Sequence, residues 1–256
     1  MNKGTVRVLK ALNLFAQQPI WGVSELSREL SCSKNSAFQA LDTLLKEGYV
    51  VRSSSGPRYQ LAHSVLDFGV AAESTDVRSL CQPYMRRIHE LTSESVFLAI
   101  LVGRSCFCID SLQTQGVSVG YSPLSQPLPL HAGAGARMLL ACLKDEEIER
   151  YIALESPLRA FSPSAITDPN ELRKELQLIR SNGFARGYSN YSTGANFLAF
   201  PIMGAMQRPL ATITIGGPIY RFTREVADGL IPAIRAVMDE LNHESRVFPS
   251  VPVVMF

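Results

Sequence analysis

Three short helical stretches followed by a hairpin with a small polar tip occupy about the first 60 residues of this 256-residue chain, and few folds accept that order. Thr5 reads as the N-cap of a first helix whose apolar residues Val8, Leu9, Leu12 and Phe15 recur at helical spacing until Pro19 stops it. Ser24 reads as the cap of a second helix that turns Leu26 and Leu30 inward. Ser33 reads as the cap of a third, whose stripe is Ala37, Leu41, Leu44 and Leu45, ending before Gly48. Tyr49-Val50-Val51 then begins a strand, residues 53–57 turn, and Arg58-Tyr59-Gln60-Leu61 returns. This is the outline of a winged helix-turn-helix.

Charge follows the same division. Residues 1–63 hold eight basic side chains (Lys3, Arg7, Lys10, Arg28, Lys34, Lys46, Arg52, Arg58) against four acidic ones (Glu25, Glu29, Asp42, Glu47), a net +4, whereas the remainder is −2. A basic unit on a slightly acidic body points to a polyanion for the first part only. With Ala37, Leu41 and Leu44 turned inward, the third helix presents Lys34, Asn35, Phe38, Gln39 and Asp42 outward. Asn35 and Gln39 are suited to paired hydrogen bonds with adenine, and Phe38 to packing on a thymine methyl. Lys34 and Ser36 lie near the helix N-terminus, where the dipole favours phosphate oxygens. Arg52 and Arg58 flank the wing tip and are expected to reach the backbone or minor groove. Asp42 would repel phosphate unless it accepts from a cytosine amino group or pairs with a neighbour. A solvated helix that binds a protein would use the same pattern.

Beyond residue 62 the pattern alternates strands and helices. A helix over 63–78 is expected as a linker, residues 79–247 as an α+β domain with a largely antiparallel sheet, and 248–256 as an extended tail. Within the second domain the expected elements are a helix over 79–92 and strands over 96–102, 106–112 and 117–121. Helices over 131–143 and 146–154 follow, then one from Thr167-Asp168-Pro169 to Asn182-Gly183, strands over 197–202 and 211–216, and a helix after Thr223. The small residues Ala132 to Ala136 either leave room for an anion at a helix N-terminus or permit close helix-on-sheet packing. Alternation gives Thr212, Thr214 and Gly216 one shared face. Phe107, Tyr121, Met138, Tyr191 and Phe197 are candidate apolar walls; each taken singly reads as plain core before ligand contact, and together they suggest a cavity suited to an aromatic or medium-sized apolar acid.

Other chemistries are poorly served. No stretch approaches the roughly 18 apolar residues of a membrane span, and five cysteines without a framework of spacings fit reduced thiols in a cytoplasm. Cys106 and Cys108 are expected to point apart, no zinc-type spacing is present, and no metal site is assigned. No nucleophile elbow, Walker loop or dinucleotide fingerprint occurs, so neither catalytic residues nor a cofactor are assigned. The rival class is an enzyme, or a metal or thiol sensor, built on the second domain.

The order Val23-Ser24-Glu25-Leu26-Ser27, Ser33-Lys34-Asn35-Ser36-Ala37, Leu41-Asp42-Thr43-Leu44, Glu47-Gly48-Tyr49-Val50 and Tyr59-Gln60-Leu61 resembles the N-terminal half of IclR-type transcriptional regulators. Pro129 to Arg137, Gly183-Phe184-Ala185, Gly194 with Ala199 to Ile202, and Ile213 to Pro218 resemble later blocks of that family, so the likeness spans residues 5–245. It implies a winged helix-turn-helix on residues 1–62, a linker helix, and a GAF-like domain that binds a small effector. It also implies a double-stranded, pseudo-palindromic operator and homodimers that pair into tetramers. By the same resemblance a ligand carboxylate approaches Ala134 and Gly135, and Thr212, Thr214 and Gly216 face the pocket. Three departures stand out: Gln39 where the family commonly has Arg, Asn190 where it often has Glu, and Ala136-Arg137 where it usually has Gly-Lys. The first bears on operator sequence. The second bears on ligand type and adds Asn190 to the candidate pocket.

Overall fold

A computed structural model of the chain describes residues 3–15, 18–53, 56–65, 77–114, 127–189 and 193–246, with Met206 described by its backbone alone. The chain divides between Thr75 and Asp76 into two compact units. The expected linker helix and tail lie almost wholly outside the described residues, as does the strand expected over 117–121.

The first unit holds α1 (Lys3–Leu14), β1 (Ile20–Gly22), α2 (Val23–Glu29), α3 (Lys34–Lys46), β2 (Val50–Arg52) and β3 (Arg58–Leu61). Ser33 caps α3 as expected, its Oγ accepting from the Ser36 N–H at 3.2 Å. The other two caps differ. α1 already begins at Lys3, and α2 is capped at Gly22, whose N–H donates to Glu25 Oε2 at 3.0 Å. Ala37, Ala40, Leu41 and Leu44 are buried on α3 and meet Ala11, Leu14, Leu26, Val50 and Tyr59 in one core. β1 adds a third strand to the expected hairpin, pairing antiparallel with β3 so that Trp21 lies opposite Tyr59.

The second unit begins with α4 (Val77–Thr92), β4 (Ser95–Val102), β5 (Ser105–Leu112) and β6 (Leu128–Pro129), followed by α5 (Ala134–Ala141), α6 (Asp145–Glu155) and α7 (Pro169–Asn182). It ends with β7 (Ala185–Tyr188), β8 (Ala195–Met203), β9 (Pro209–Pro218) and α8 (Arg224–Ser245). The six strands run antiparallel in the order β6-β5-β4-β9-β8-β7. Helices α5, α6 and α7 cover one face over Phe97, Ala99, Cys106, Phe197 and Ala199. Helices α4 and α8 cover the other over Val96, Leu98, Leu198, Phe200, Ile213 and Ile215. A sheet buried on both faces explains why β8 and β9 read as nearly continuous apolar runs. No helix among the described residues is long and apolar enough to cross a membrane.

Helix α5 is shorter than expected. Gly133 stands at its N-cap with φ 77°, a conformation that favours glycine, so His131 to Gly133 form a turn rather than a first helical turn.

Candidate functional site

On α3, Lys34, Asn35 and Gln39 are exposed and Phe38 keeps 44% of its surface open, so a polar and aromatic face stands opposite the buried stripe. Ser36 is half-buried and its Oγ accepts from the Ser33 hydroxyl at 3.0 Å. Asp42 is matched on its own helix, 2.7 Å from Lys46 Nζ, which answers the expected repulsion without a base contact. At the wing, Arg52 is exposed with its guanidinium 5.6 Å from the centre of the Tyr59 ring. Arg58 is not open in the same way, because its Nη2 lies 2.6 Å from each carboxylate oxygen of Glu25.

In the second unit, the first turn of α5 lies directly on β9. A Cβ added to Gly135 would fall 2.4 Å from Thr214 Oγ1 and 3.5 Å from Thr212 Cγ2, so only glycine admits this approach. Thr212 and Thr214 are fully buried and share the face that alternation assigns them. Their hydroxyls differ. Thr212 Oγ1 donates to the Phe200 carbonyl at 2.9 Å, whereas Thr214 Oγ1 has no hydrogen-bond partner among the described residues. Two residues on, a Cβ at Gly216 would strike the Phe197 ring at 2.5 Å and approach Phe97 at 3.4 Å. Ala134, Met138 and Phe197 are buried in the same cluster.

Other expected residues fall elsewhere. Phe107 lies opposite Ile100 in the ladder, and Ile100 packs towards α4 and α8. Its neighbours Cys106 and Cys108 face the α5 side, so Phe107 stands on the opposite face from Thr214. Tyr121, Asn190 and Tyr191 lie outside the described residues. Phe97, which the sequence reading missed, is the cross-strand partner of Thr214. Pairing across strands is the signal that would have found it, and a single strand's alternation does not carry that signal.

His131 is fixed by the fold. Its N–H donates to Tyr151 Oη at 3.1 Å, its Nδ1 lies 2.8 Å from the same oxygen, and its Nε2 lies 3.1 Å from the Arg159 carbonyl. A carbonyl only accepts, so the network assigns the proton to Nε2 and leaves Nδ1 to accept from the tyrosine O–H. Burial lowers the imidazole's pKa below its ordinary value. Arg137 is among the largest fully buried side chains of the described residues; Nη2 donates to the Arg186 carbonyl at 2.8 Å, and Glu175 lies 3.6 Å from Nε.

Cys106 and Cys108 do not point apart as expected; two residues apart on β5, both turn to the same cluster. Burial pushes the Cys108 thiol up to about 11 and that of Cys142 up to about 12, the opposite of what a thiolate sensor needs. Among the described residues no three metal-ligating side chains come together.

Two family profiles match the chain: the IclR helix-turn-helix domain over residues 4–54, and the C-terminal domain of the bacterial transcriptional regulator IclR over residues 69–243. The chain is 31% identical over 226 residues to the HTH-type transcriptional regulator KipR of Bacillus subtilis, covering 88% of this chain and 89% of that protein. A solved transcriptional regulator of the same type from Silicibacter sp. TM1040 superposes with a TM-score of 0.84 at 22% identity, over 99% of this chain and all of its own. An IclR homologue from Microbacterium hydrocarbonoxydans, solved in complex with 4-hydroxybenzoate, gives a TM-score of 0.65 at 21% identity, over 94% of this chain and 98% of its own.

Proposed function

The chain belongs to the IclR family of bacterial transcriptional regulators, DNA-binding proteins with an effector domain, and from that premise we propose that its operator affinity is set by a small carboxylate-bearing or aromatic effector at the N-terminus of α5. The observation that carries this reading is the buried Thr214 hydroxyl without a partner, beside Gly135 in the first turn of that helix. An unsatisfied buried hydroxyl costs about 1–3 kcal/mol, and an effector that bonds to it recovers that cost. The free N–H groups of the same turn favour a carboxylate. The 4-hydroxybenzoate held by the Microbacterium homologue supports an aromatic acid as the class. Ala134, Met138, Phe197 and Gly216 line the region in this reading; Tyr121, Asn190 and Tyr191, also expected there from the sequence, lie outside the described residues.

On the DNA side, Asn35 and Gln39 read adenines, Phe38 meets a thymine methyl, and Lys34, Ser36 and Arg52 hold phosphates. The protein acts as a dimer on a pseudo-palindromic operator and pairs into tetramers, with residues 63–78 as the element that couples effector to half-site spacing. Ligand changes operator affinity only as far as it binds the DNA-competent and incompetent assemblies differently.

Thermal-shift screening of small acids and phenolics tests the effector reading, because a ligand of the native state raises the melting midpoint. Aromatic acids such as 4-hydroxybenzoate are expected to raise it in the wild type and not in Thr214→Val. Tight binding of glyoxylate or pyruvate with no response to aromatic acids contradicts the reading.

A further inference from the structure

One carboxylate in the DNA-binding unit joins three elements. Glu25 sits in the first turn of α2, where Oε2 accepts the Gly22 N–H at 3.0 Å, and both of its oxygens lie 2.6 Å from Arg58 Nη2. Gly22 and Arg58 are themselves cross-strand partners between β1 and β3. Arg58 also closes the wing from the other side, its carbonyl accepting the Ser53 N–H at 2.8 Å. The same residue thus ends the hairpin turn, pairs with β1 and grips α2. Arg52, across the hairpin, has no acidic partner among the described residues and lies over Tyr59.

Resting on the family's DNA-binding reading, we propose that the Glu25–Arg58 pair is a clamp that sets the wing's position against the helix-turn-helix, and that Arg58 acts on DNA affinity through Glu25 and not by holding a phosphate. The hydrogen bond from Gly22 and the Arg58 guanidinium keep the Glu25 carboxyl below its ordinary pKa, so the carboxylate is ionised at neutral pH. The pair lines an open cleft of about 620 Å³ together with Ile20, Trp21, Arg28 and Glu29, and side-chain exposure is 40% for Arg58 and 35% for Glu25. Pairs this open contribute little to global stability, so its loss moves the wing without unfolding the unit.

The two roles for Arg58 give opposite signs for one substitution. If Arg58 held a phosphate, Glu25→Gln would remove a competing negative charge and tighten DNA binding. If Arg58 is a clamp, the same change loosens the wing and weakens binding.

The test uses the full-length protein and a duplex selected by the wild type from a random-sequence pool, with affinity followed by anisotropy across a salt series. Trp21, the single tryptophan, lies opposite Tyr59 and reports through its emission whether the unit stays folded. Glu25→Gln and Arg58→Gln are each expected to weaken binding several-fold, the double variant no further than the worse single, all with the wild-type salt slope. Unchanged or tighter binding by Glu25→Gln overturns the clamp, as do additive losses or a salt slope lowered by about one in Arg58→Gln. Unfolded Trp21 emission in either variant also overturns it, since the pair would then carry the fold. Failure of the wild type to bind any duplex is a separate result that strikes the DNA-binding reading itself.

Discussion

Thr214 and Gly135 are the residues where packing and the proposed effector role meet most directly. Thr214→Val keeps the shape and removes the partnerless hydroxyl. We expect it to stabilise the ligand-free protein by about 1–3 kcal/mol in denaturant titrations while abolishing the effector response. Gly135→Ala pushes a methyl to 2.4 Å from Thr214 Oγ1 and is expected to destabilise by roughly 1–3 kcal/mol in the same titration, a cost that Thr214→Ala relieves.

His131 gives a pH-dependent prediction. Its folded pKa lies below the ordinary 6.5 because of burial, so the unfolded chain takes up a proton where the folded one resists it. Its contribution is intact above that value and is lost as the pH falls below it. His131→Gln should lower the melting midpoint at neutral pH yet flatten its decline from about pH 6.5 downward. An unflattened decline would place the titration elsewhere. Alternation along one strand was enough to pair Thr212 with Thr214. Phe107 was offered as a wall with no face assigned to it, because nothing local to β5 says which of its faces turns to α5.

At the scale of elements, α3 follows its sequence closely. The apolar spacing set the buried side, Ser33 set the start, and the exposed side holds the residues expected there. Asn35→Ala and Gln39→Ala should each cost ~1–3 kcal/mol of specific binding and relax base preference at one position, as read by competition between the selected duplex and single-base variants. Equal losses on all sequences would contradict base reading.

Caps at Asp168 and Thr223 were legible too, Asp168 accepting the N–H groups of Asn170 and Glu171 and Thr223 that of Val226. β1, β6 and β7 were not, for they have three, two and four residues, and no turn was read beside them as one was at residues 53–57 between the equally short β2 and β3. β1 and β6 depend moreover on partners distant in sequence, β3 and β5. The burial of Arg137 on α5 was equally illegible: its partners Glu175 and Arg186 arrive from α7 and β7, dozens of residues later.

Over the whole molecule, the excess of positive charge lies in the helix-turn-helix unit. Residues 1–63 carry +4, Asp67 and Glu73 bring the first unit (1–75) to +2, and residues 76–256, with 17 basic and 17 acidic side chains, are neutral. Within the basic unit the cations differ in availability: Arg58 and Lys46 are matched by Glu25 and Asp42, while Lys34 and Arg52 stand exposed. The likeness to a known family was legible because its motifs recur in order along the chain.

The most direct measurement is the salt dependence of DNA binding by the full-length protein, with a duplex it has selected itself, from about 50 to 200 mM salt. The expected result is a linear fall of log affinity with log salt, made shallower by about one phosphate contact in Lys34→Ala and shifted by an aromatic acid. Protein that ignores duplexes of every sequence at low salt, with and without small acids, would contradict the account at its root.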